Sequence, residues 1–553
     1  MRSIFVLGQF LVLQTFAIAQ CESGWVETIG GVPTGSQASV GSALEVDESG
    51  FVYVVSSEYR SDSLLIGDDW VLGAGSANVQ NRDFYVTKYS PSGEALWIMY
   101  ANGDNQDYPK DAALDAEGNL YVTGQFRDTL QFNGDEEIVS AGSQDMFLCK
   151  ISTDGELEWV HRYGNSVARG VSVVVDENGA YMAGVFFSDS IAVGDSIYQC
   201  APPSGQSDIV VMKHSLDGDL MWSRHITGEN SQQVGALSVN NGKIILTGVF
   251  LDELVTTEET ISGSSTYDYY LLSMTSTDGG VEWIRKSYGG GLSATIEDIA
   301  FDSQHNIYLS GRFNTSSISF QSVQTSNSGQ YDYFILKISA TGDSEWIISS
   351  NGDGFEVITG IEMVGNTIVV TGGITQSSFS IGDSVLVNSG DTDVFLGTYN
   401  TDNGEGICGR VFSGDGIEQG TAIAILNEHV YVGGAFTGNL ILDGLVISPI
   451  GNQDLFVWKT CLPCDIEVGV ENAEVDADLF VYPNPTTNQL NINLSANQKA
   501  TAIGMLDMLG REVLHQPFTT RLDVSHLPAG NYVVAVYTED GVLRERVSVV
   551  KNE

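Results

Sequence analysis

The sequence predicts an all-β protein of two parts, a ring of seven four-stranded sheets followed by a small antiparallel sandwich. A signature of an Asp, three apolar residues, usually a Lys, and then a Gly and a Trp recurs at intervals of 60 to 64 residues, beginning at Asp83, Asp145, Asp208, Asp268, Asp332, Asp393 and Asp454. A second signature, clearest in residues 115–126, runs in step with it. After Leu479 both give way to short alternating strands. So regular a repeat indicates identical structural units that stack on their neighbours.

Each repeat predicts four short strands separated by tight Asp/Gly turns, such as Asp115–Gly118. The apolar residues of the third strand are consecutive, as in residues 146–148, whereas a strand with one wet face would alternate polar and apolar residues. Both faces of each sheet must therefore be covered. Four-stranded sheets packed face to face around an axis meet this need, so residues 20–464 are predicted to form a seven-bladed β-propeller.

The ends of the repeat array predict how the ring closes. The seventh repeat has three strands, ending near Cys461, but lacks the strand that carries the Gly and the Trp, while Trp25 precedes the first repeat. We expect Trp25–Ile29 to supply the outermost strand of blade seven, which leaves no open sheet edge at the seam. Cys21 then falls at the same turn as Cys461 and Cys464, so a disulfide from Cys21 to Cys461 or Cys464 is predicted to staple the seam. Cys408, at the Trp position of blade six, is expected to fill a small buried space.

The first 19 residues have the features of a secretory signal peptide. A basic Arg2 precedes an apolar stretch that ends in small residues at Ala19, and cleavage is expected before Gln20. The stretch is too short to be a convincing membrane span, and no later run approaches a transmembrane segment. We therefore predict an exported protein with no transmembrane segment.

The C-terminal residues differ in character from the repeats. Residues 465–478 are acidic and small and predict a linker. Residues 479–553 alternate short strands with turns, which predicts a small immunoglobulin-like β-sandwich. They contain an opening Tyr-Pro-Asn-Pro motif, an Asp-x-x-Gly turn, a Leu-x-x-Gly-x-Tyr element and a basic end, namely Tyr482, Pro483, Asn484, Pro485, Asp507, Gly510, Leu527, Gly530, Tyr532 and Lys551.

With these motifs, residues 479–553 closely resemble the type A C-terminal sorting domain of the Bacteroidetes type IX secretion system. The resemblance implies that this domain engages the secretion machinery, passes through the outer membrane and is removed. Attachment to cell-surface lipopolysaccharide, or release, would follow, so the implied location is secreted or at the outer-membrane cell surface. The propeller units resemble β-propeller repeats of secreted bacterial surface proteins, and the motif of residues 115–124 carries this resemblance. The Gly-x-x-x-Trp element at Gly155–Trp159 is similar to the tryptophan-docking strand of quinoprotein propellers.

Charge separates the two parts of the chain. The whole sequence of 553 residues has a net charge of −47, of which residues 479–553, with 7 acidic and 6 basic side chains, contribute only −1. Such an acidic propeller repels nucleic acid and anionic membranes, which excludes both as partners. The simplest explanation of this acidic composition is solubility, although the surface could also attract a divalent cation or a basic partner.

Little in the sequence indicates catalysis. The seven histidines are scattered, and there is no His-Glu-x-x-His motif, Gly-x-Ser-x-Gly elbow or P-loop. We therefore predict no catalytic, cofactor-binding or metal-binding residue. Seven equivalent aspartates are better explained as caps of strand-entry turns than as metal ligands. The only feature that favours Ca²⁺ binding is the presence of carboxylate-rich loops. Pairing of the repeat aspartates with the repeat lysines, Lys88, Lys150, Lys213, Lys337 and Lys459, is a hypothesis.

The tryptophans of the signature have two interpretations, stacking on sugars or packing between blades. Their recurrence at one position, as Trp97, Trp159, Trp222, Trp283 and Trp346, favours packing. Trp70 breaks the pattern, because it lies in the variable stretch between the second and third strands of blade one. It is therefore the better candidate for contact with a ligand.

Two classes of function remain. The favoured one is a non-enzymatic binding or adhesion scaffold that contacts a glycan or protein through loops on one ring face, with specificity in the variable stretches between second and third strands. The alternative is a secreted glycan-active hydrolase or lyase with its site in the propeller channel. Convergent acids with a His or Arg in that channel would favour the enzyme. A purely structural spacer is the third possibility.

Overall fold

A computed structural model gives the fold of the chain. It describes residues 24–31, 40–59, 63–66, 69–72, 82–103, 105–134, 136–187, 190–200, 206–289, 291, 294–463, 479–482, 486–494, 501–507, 511–528, 530–537 and 543–551. The predicted signal peptide (1–19) and linker (465–478) lie outside the described residues. The chain divides into two compact units, residues 1–468 and 469–553.

All regular structure in the described residues is β-strand. Up to the middle of the ring the strands are β1 (Val26–Gly31), β2 (Val40–Val46), β3 (Val52–Tyr59), β4 (Ser63–Ile66), β5 (Asp69–Leu72), β6 (Arg82–Tyr89), β7 (Ala95–Asn102), β8 (Tyr108–Leu114), β9 (Leu120–Phe126), β10 (Thr129–Phe132), β11 (Glu136–Val139), β12 (Asp145–Ile151), β13 (Leu157–Tyr163), β14 (Ala168–Asp176), β15 (Gly179–Phe186), β16 (Ser190–Val193), β17 (Ser196–Gln199), β18 (Asp208–His214), β19 (Leu220–Ile226), β20 (Gln232–Asn240), β21 (Lys243–Phe250), β22 (Glu253–Val255), β23 (Thr260–Ser262), β24 (Asp268–Thr275) and β25 (Val281–Tyr288).

The rest of the ring and the C-terminal unit continue in the same way. The remaining ring strands are β26 (Thr295–Phe301), β27 (Ile307–Phe313), β28 (Ser317–Phe320), β29 (Val323–Ser326), β30 (Asp332–Ile338), β31 (Ser344–Ser349), β32 (Phe355–Val364), β33 (Thr367–Thr375), β34 (Ser378–Ile381), β35 (Ser384–Val387), β36 (Asp393–Asn400), β37 (Gly406–Phe412), β38 (Glu418–Leu426), β39 (His429–Phe436), β40 (Leu440–Leu442), β41 (Leu445–Ile447) and β42 (Asp454–Cys461). The C-terminal unit has β43 (Leu479–Tyr482), β44 (Gln489–Leu494), β45 (Ala502–Asp507), β46 (Glu512–Pro517), β47 (Arg521–Asp523), β48 (Gly530–Tyr537) and β49 (Leu543–Lys551).

Seven four-stranded antiparallel sheets form the blades of a β-propeller, as predicted. From the axis outwards their strand orders are β2-β3-β6-β7, β8-β9-β12-β13, β14-β15-β18-β19, β20-β21-β24-β25, β26-β27-β30-β31, β32-β33-β36-β37 and β38-β39-β42-β1. The first strands of neighbouring blades contact one another and surround a central channel. Each first strand carries a register shift against the second strand, which bends it around the axis.

The third strand of each blade is covered on both faces, which accounts for its uninterrupted apolar run. Every residue of β12 is buried, and the same holds for β18 and β30. Phe84 of blade one stacks on Phe147 of blade two with ring centroids 5.5 Å apart. Burial of one such side chain contributes about 1.5–3 kcal/mol, so the inter-blade faces are the main source of stability.

The N-terminal strand completes blade seven. β1 pairs antiparallel with β42, with Val26 opposite Trp458 and Ile29 opposite Leu455. The ring is therefore closed by hydrogen bonds between the two ends of the propeller sequence.

The described cysteines include bonded and free residues. Cys461 is disulfide-bonded, and so is Cys408, which therefore does more than fill a small space. Cys149 is a buried free thiol. Cys21 and Cys464 lie outside the described residues, so the pairing of Cys21 with Cys461 or Cys464 stays a prediction.

The variable stretch between the second and third strands folds as a short hairpin, which we call the insertion hairpin. In blades one, two and five its first strand also pairs with the outermost strand of the preceding blade: β4 with β1, β10 with β7, and β28 with β25. These hairpins thus cover the outer sheet edge of a neighbour, where an unpaired strand would otherwise invite association.

The C-terminal unit contains two antiparallel sheets with strand orders β43-β44-β47 and β46-β45-β48-β49. Apolar residues of both sheets share one core, which includes Leu490, Leu522, Met505 and Val534. The immunoglobulin-like arrangement of these strands stays a prediction.

Candidate functional site

The repeated Lys and Trp bind one backbone carbonyl of the next blade. In blade two, Lys150 Nζ and Trp159 Nε1 each donate a hydrogen bond of 3.3 Å to the carbonyl oxygen of Leu216. The same arrangement joins Lys88 and Trp97 to Thr153, Lys213 and Trp222 to Ser276, and Lys459 and Trp25 to Pro91. The last of these crosses the seam, so the ring closes with the contact that also joins blades one to two, two to three and three to four.

The signature glycine lies against the tryptophan of the preceding blade. Gly155 has a φ of +86°, and a Cβ on it would lie 2.8 Å from the indole ring of Trp97. Gly218 faces Trp159 in the same way. Only glycine fits such a close approach at a positive φ. The packing interpretation of the tryptophans is therefore confirmed, and these rings are not open platforms for a sugar.

The repeat aspartates cap the turn before the third strand, as predicted. Asp268 Oδ2 accepts a 2.8 Å hydrogen bond from the backbone N–H of Ser264, and other repeat aspartates do the same with the residue four positions earlier. The hypothesis that they pair with the repeat lysines is wrong among the described residues. The carboxylates beside Lys150 are those of Asp115 and Glu158. The amine of the repeat lysine instead contacts a turn of the next blade, at the end of the third strand that lies away from the repeat Asp.

The central channel forms a cavity with a volume of about 980 Å³. The first strands of all seven blades line it. Five acidic side chains line it, and the sequence alone indicated none of them: Glu45, Asp111, Glu297, Asp298 and Glu362. Glu297 forms an ion pair of 3.6 Å with Arg312, whereas the other four form none among the described residues. The available signal was the presence of acids in first strands that are otherwise rich in apolar residues.

Two of these acids join neighbouring blades. Asp111 Oδ2 accepts hydrogen bonds from Ser172 Oγ (2.6 Å) and from the N–H of Val173 (2.9 Å) in the next blade. Asp298 Oδ2 likewise accepts the N–H of Ile361 at 3.0 Å. The first strand of a blade presents unpaired N–H groups to the axis, and these carboxylates satisfy some of them. Asp111 and Asp298 therefore have a structural role.

The environment shifts the pKa of the four acids without an ion pair in one direction. Burial, followed by the charge of Asp298, raises the pKa of Glu362 to about 8. Burial raises the pKa of Asp298 to about 7, and it also raises that of Asp111. The pKa of Glu45 is well above its usual range because of burial and then the charges of the other three. Burial in the channel thus disfavours the charged form of these four carboxyl groups.

Two of the three basic residues that line the channel lie over aromatic rings. The Arg169 guanidinium lies 5.0 Å from the ring centre of Phe187, and that of Arg82 lies 5.2 Å from Tyr108. The third, Lys110, lowers the pKa of Asp111, but burial is the larger effect and raises it. None of the described lining residues is a histidine. The channel therefore has the residue types of the enzyme interpretation, but burial acts in the same direction on Glu45, Asp111, Asp298 and Glu362.

The insertion hairpins carry aliphatic side chains on the outside of the ring. Ile197 of β17 and Val385 of β35 are each 69% exposed, and Val446 of β41 is 64% exposed. Trp70 lies in β5, opposite Leu65 of β4, but its side chain is not among those described, so its ligand contact stays a prediction. In blades two, three, six and seven the second strand of the insertion hairpin thus exposes aliphatic side chains, which we call the apolar outer rim.

The described sorting-motif residues shape the C-terminal unit. Tyr532 is buried in β48, and its hydroxyl donates a 3.0 Å hydrogen bond to the carbonyl of Pro528. Lys551 is buried at the end of β49, where its backbone bridges to Thr486. Tyr482 ends β43, Asp507 ends β45, Gly530 begins β48 and Leu527 follows β47, while Pro483, Asn484, Pro485 and Gly510 lie outside the described residues.

Comparison with known proteins identifies the C-terminal unit. Residues 480–550 match the family described as the secretion system C-terminal sorting domain. This unit is a sorting domain. The protein is accordingly exported by the type IX secretion system to the cell surface or the extracellular space. No helix among the described residues is long and apolar enough to cross a membrane.

The propeller has more distant relatives. An uncharacterized WD repeat-containing protein of Acanthamoeba polyphaga mimivirus is 22% identical over 394 residues, which are 57% of this chain and 28% of the relative. The chain therefore spans less than a third of that relative's length. Similar solved structures include the quinohemoprotein alcohol dehydrogenase from Comamonas testosteroni (11% identity, TM-score 0.36, 80% of this chain and 77% of that one) and the phage phi92 endosialidase (10% identity, TM-score 0.37, 96% and 79%).

Proposed function

We propose that the propeller is a non-enzymatic binding module that the sorting domain delivers to the cell exterior, where the insertion hairpins contact a protein partner. The supporting observation is the apolar outer rim, whose exposed side chains in blades two, three, six and seven are Val139, Ile197, Val385, Val387, Leu445 and Val446. They recur on a chain with a net charge of −47. Exposed apolar side chains on such a polar surface are typical of protein contacts.

The chemistry of the rim favours a protein over a glycan. Sugars stack on aromatic rings, but Trp97, Trp159 and Trp222 pack between blades and donate their N–H groups to turn carbonyls. The exposed rim residues are aliphatic, and they suit contact with another apolar protein surface. The variable hairpins would then give specificity from the side of the ring.

The alternative is a glycan-active hydrolase or lyase in the channel, and the acids that line the channel are the observation in its favour. A glycosidase needs one carboxyl that stays ionised beside another that stays protonated. Here burial raises the pKa of the four acids without an ion pair, including Asp298 and Glu362. Because burial raises the pKa of each of these four acids, none of them is set apart as the ionised partner, and this favours the binding module.

Substitution of the rim tests the proposal. The secreted protein is applied to a panel of immobilised extracellular-matrix and bacterial surface proteins and polysaccharides, and binding and release of soluble sugar are both measured. We expect binding to a protein that weakens at least tenfold in the double variant Ile197→Ser/Val385→Ser, because the apolar contact is lost. The matched control is Met221→Ser, since Met221 is also exposed but lies on β19 outside the hairpins; it should bind like the parent.

Two results would contradict the binding module. If the protein bound only polysaccharide, and the rim variant bound it equally well, the contact would lie outside the hairpins. Release of soluble sugar that is lost in Glu45→Gln or Glu362→Gln would establish the channel enzyme instead.

A further inference from the structure

Three basic side chains line the central channel of a protein that is otherwise strongly acidic. They are Arg82, Lys110 and Arg169, which belong to blades one, two and three. Lys110 and Arg169 are exposed, whereas Arg82 is only 8% exposed. The chain has 24 basic residues against 71 acidic ones, so cations gathered in one cavity do not serve solubility. They indicate a place where negative charge is received.

Most basic side chains of the propeller are bound to the protein itself. Arg162, Lys243 and Lys337 form ion pairs with acidic neighbours, and repeat lysines contact turns of the next blade. The side chains of Lys110 and Arg169, in contrast, form no hydrogen bond or ion pair with any described residue. Their N–H donors are therefore open to a ligand.

Aromatic rings hold the two guanidinium groups at the channel. That of Arg169 lies 5.0 Å from the ring centre of Phe187, and that of Arg82 lies 5.2 Å from the ring centre of Tyr108. Both rings line the same cavity. The backbone of Arg82 also bridges to Gln106, just before β8. An aromatic face fixes a guanidinium in place and leaves its N–H groups to bind an anion.

The contact between the first strands of blades two and three brings Lys110 and Arg169 to the same end of the channel. β8 and β14 are neighbours, and the hydrogen bond from the N–H of Val173 to Asp111 aligns them. Lys110 directly precedes Asp111, and Arg169 lies four residues before Val173. Both bases therefore lie on one side of this hydrogen bond, within about 10 Å of each other along the strands. We call the end of the channel lined by Arg82, Lys110 and Arg169 the basic end.

The acids Glu45 and Glu362 lie deeper in the channel. Each is two residues beyond the register shift of its first strand, which is about 7 Å along the strand. Lys110 lies within the register shift of β8, and Arg169 precedes that of β14. Glu297, within the shift of β26, is already in an ion pair. The basic end is thus separated from the unpaired glutamates.

Neutral polar groups accompany the bases. Gln125 lies opposite Tyr108 in blade two, Gln233 precedes the register shift of β20, and both line the cavity. Their amides can donate to and accept from hydroxyl groups. The cavity of about 980 Å³ is of the size that takes a small molecule. Size and lining therefore suit a small hydroxylated ligand.

We propose that the basic end of the channel binds a sugar acid, whose carboxylate pairs with Lys110 and Arg169. Gln125 and Gln233 bind its hydroxyl groups. A carboxylate matches the fork of N–H donors on a guanidinium. The net charge of −47 repels polyanions and so favours a ligand with a single negative charge. The site goes beyond the contact of the apolar outer rim with a protein, because it uses a different surface.

Calorimetric titration of the full chain with sodium glucuronate tests the site, with glucose as the neutral probe. We expect one site with a Kd of about 10⁻⁴ M for glucuronate and no binding of glucose. Raising NaCl from about 20 mM to about 500 mM should weaken binding, because salt screens the charges. The double variant Lys110→Gln/Arg169→Gln should weaken it at least tenfold. The matched control is Arg224→Gln, since that guanidinium also lies over an aromatic ring, 5.8 Å from Trp222, but on the outermost strand β19; it should bind like the parent.

Two results would overturn the proposal. One is equal affinity of the parent and the double variant for glucuronate, and the other is inorganic phosphate that binds as tightly as glucuronate, since the site would then take any anion. A trimer of galacturonate that binds more tightly than the monomer would identify the ligand as the end of a glycan chain, and weaker binding would identify it as a free sugar acid. The rim variant Ile197→Ser/Val385→Ser should bind glucuronate like the parent, so failure of this site and failure of the rim contact are distinguishable.

Discussion

Replacing Trp25 by alanine will lower the free energy of unfolding by about 2–4 kcal/mol, measured by urea denaturation. Trp25 Nε1 donates a 3.0 Å hydrogen bond to the carbonyl of Pro91, and its ring packs against Gly93, where a Cβ would come within 2.7 Å. The ring also lies 6.0 Å from Tyr89, centroid to centroid. The substitution removes all three contacts, and it does so where non-covalent pairing holds the ends of the ring together.

Trp159→Ala is the matched control, because Trp159 makes the same contacts with Leu216 and Gly218 between two blades that the chain connects directly. Both variants should lose similar stability. Only Trp25→Ala should speed amide exchange along β1, in Thr28 and Ile29 above all, since that strand is held by β42 and by the seam contact. Unchanged exchange in β1 would mean that pairing with β42 alone closes the ring.

The repeat signature made most of the fold predictable. Its consecutive apolar residues require two covered faces. The seventh repeat lacks its last strand and Trp25 precedes the first repeat, which indicated that the N-terminal strand pairs with β42. Packing between blades could be predicted from the recurrence of Trp alone. These features depend on local sequence that every blade repeats.

The features that the sequence did not reveal depend on which residues of different blades meet. Lys150 could reach either end of its strand, and the carbonyl of Leu216 that decides the direction belongs to the next repeat. The variable stretches were expected to be loops on a ring face, but they are hairpins, and some of them pair with the preceding blade. Glu45 and Glu362 are isolated in sequence, and only closure of the ring brings them together.

The stability of the protein will fall as the pH rises from about 5 to 9, and Glu362→Gln will remove part of that fall. Burial raises the pKa of Glu362 to about 8, whereas in the unfolded chain it returns to an ordinary glutamate value. The native state therefore holds a proton that the unfolded state releases. Its contribution is complete below the unfolded pKa and is lost as the pH rises through about 8. Water in the channel screens the effect, so about 2–3 kcal/mol is expected.

Unfolding free energies of the parent and Glu362→Gln between pH 4 and pH 9 measure this contribution. The two curves should coincide near pH 4, where both side chains are neutral, and the variant should be the more stable by about 2–3 kcal/mol at pH 9. The exposed Glu48→Gln is the control and should give a curve parallel to the parent. If Glu362→Gln also ran parallel to the parent, Glu362 would be ionised in the native channel, beside Asp298. The channel would then hold the opposed carboxyl pair that a hydrolase needs, so this titration also tests the choice between the two functions.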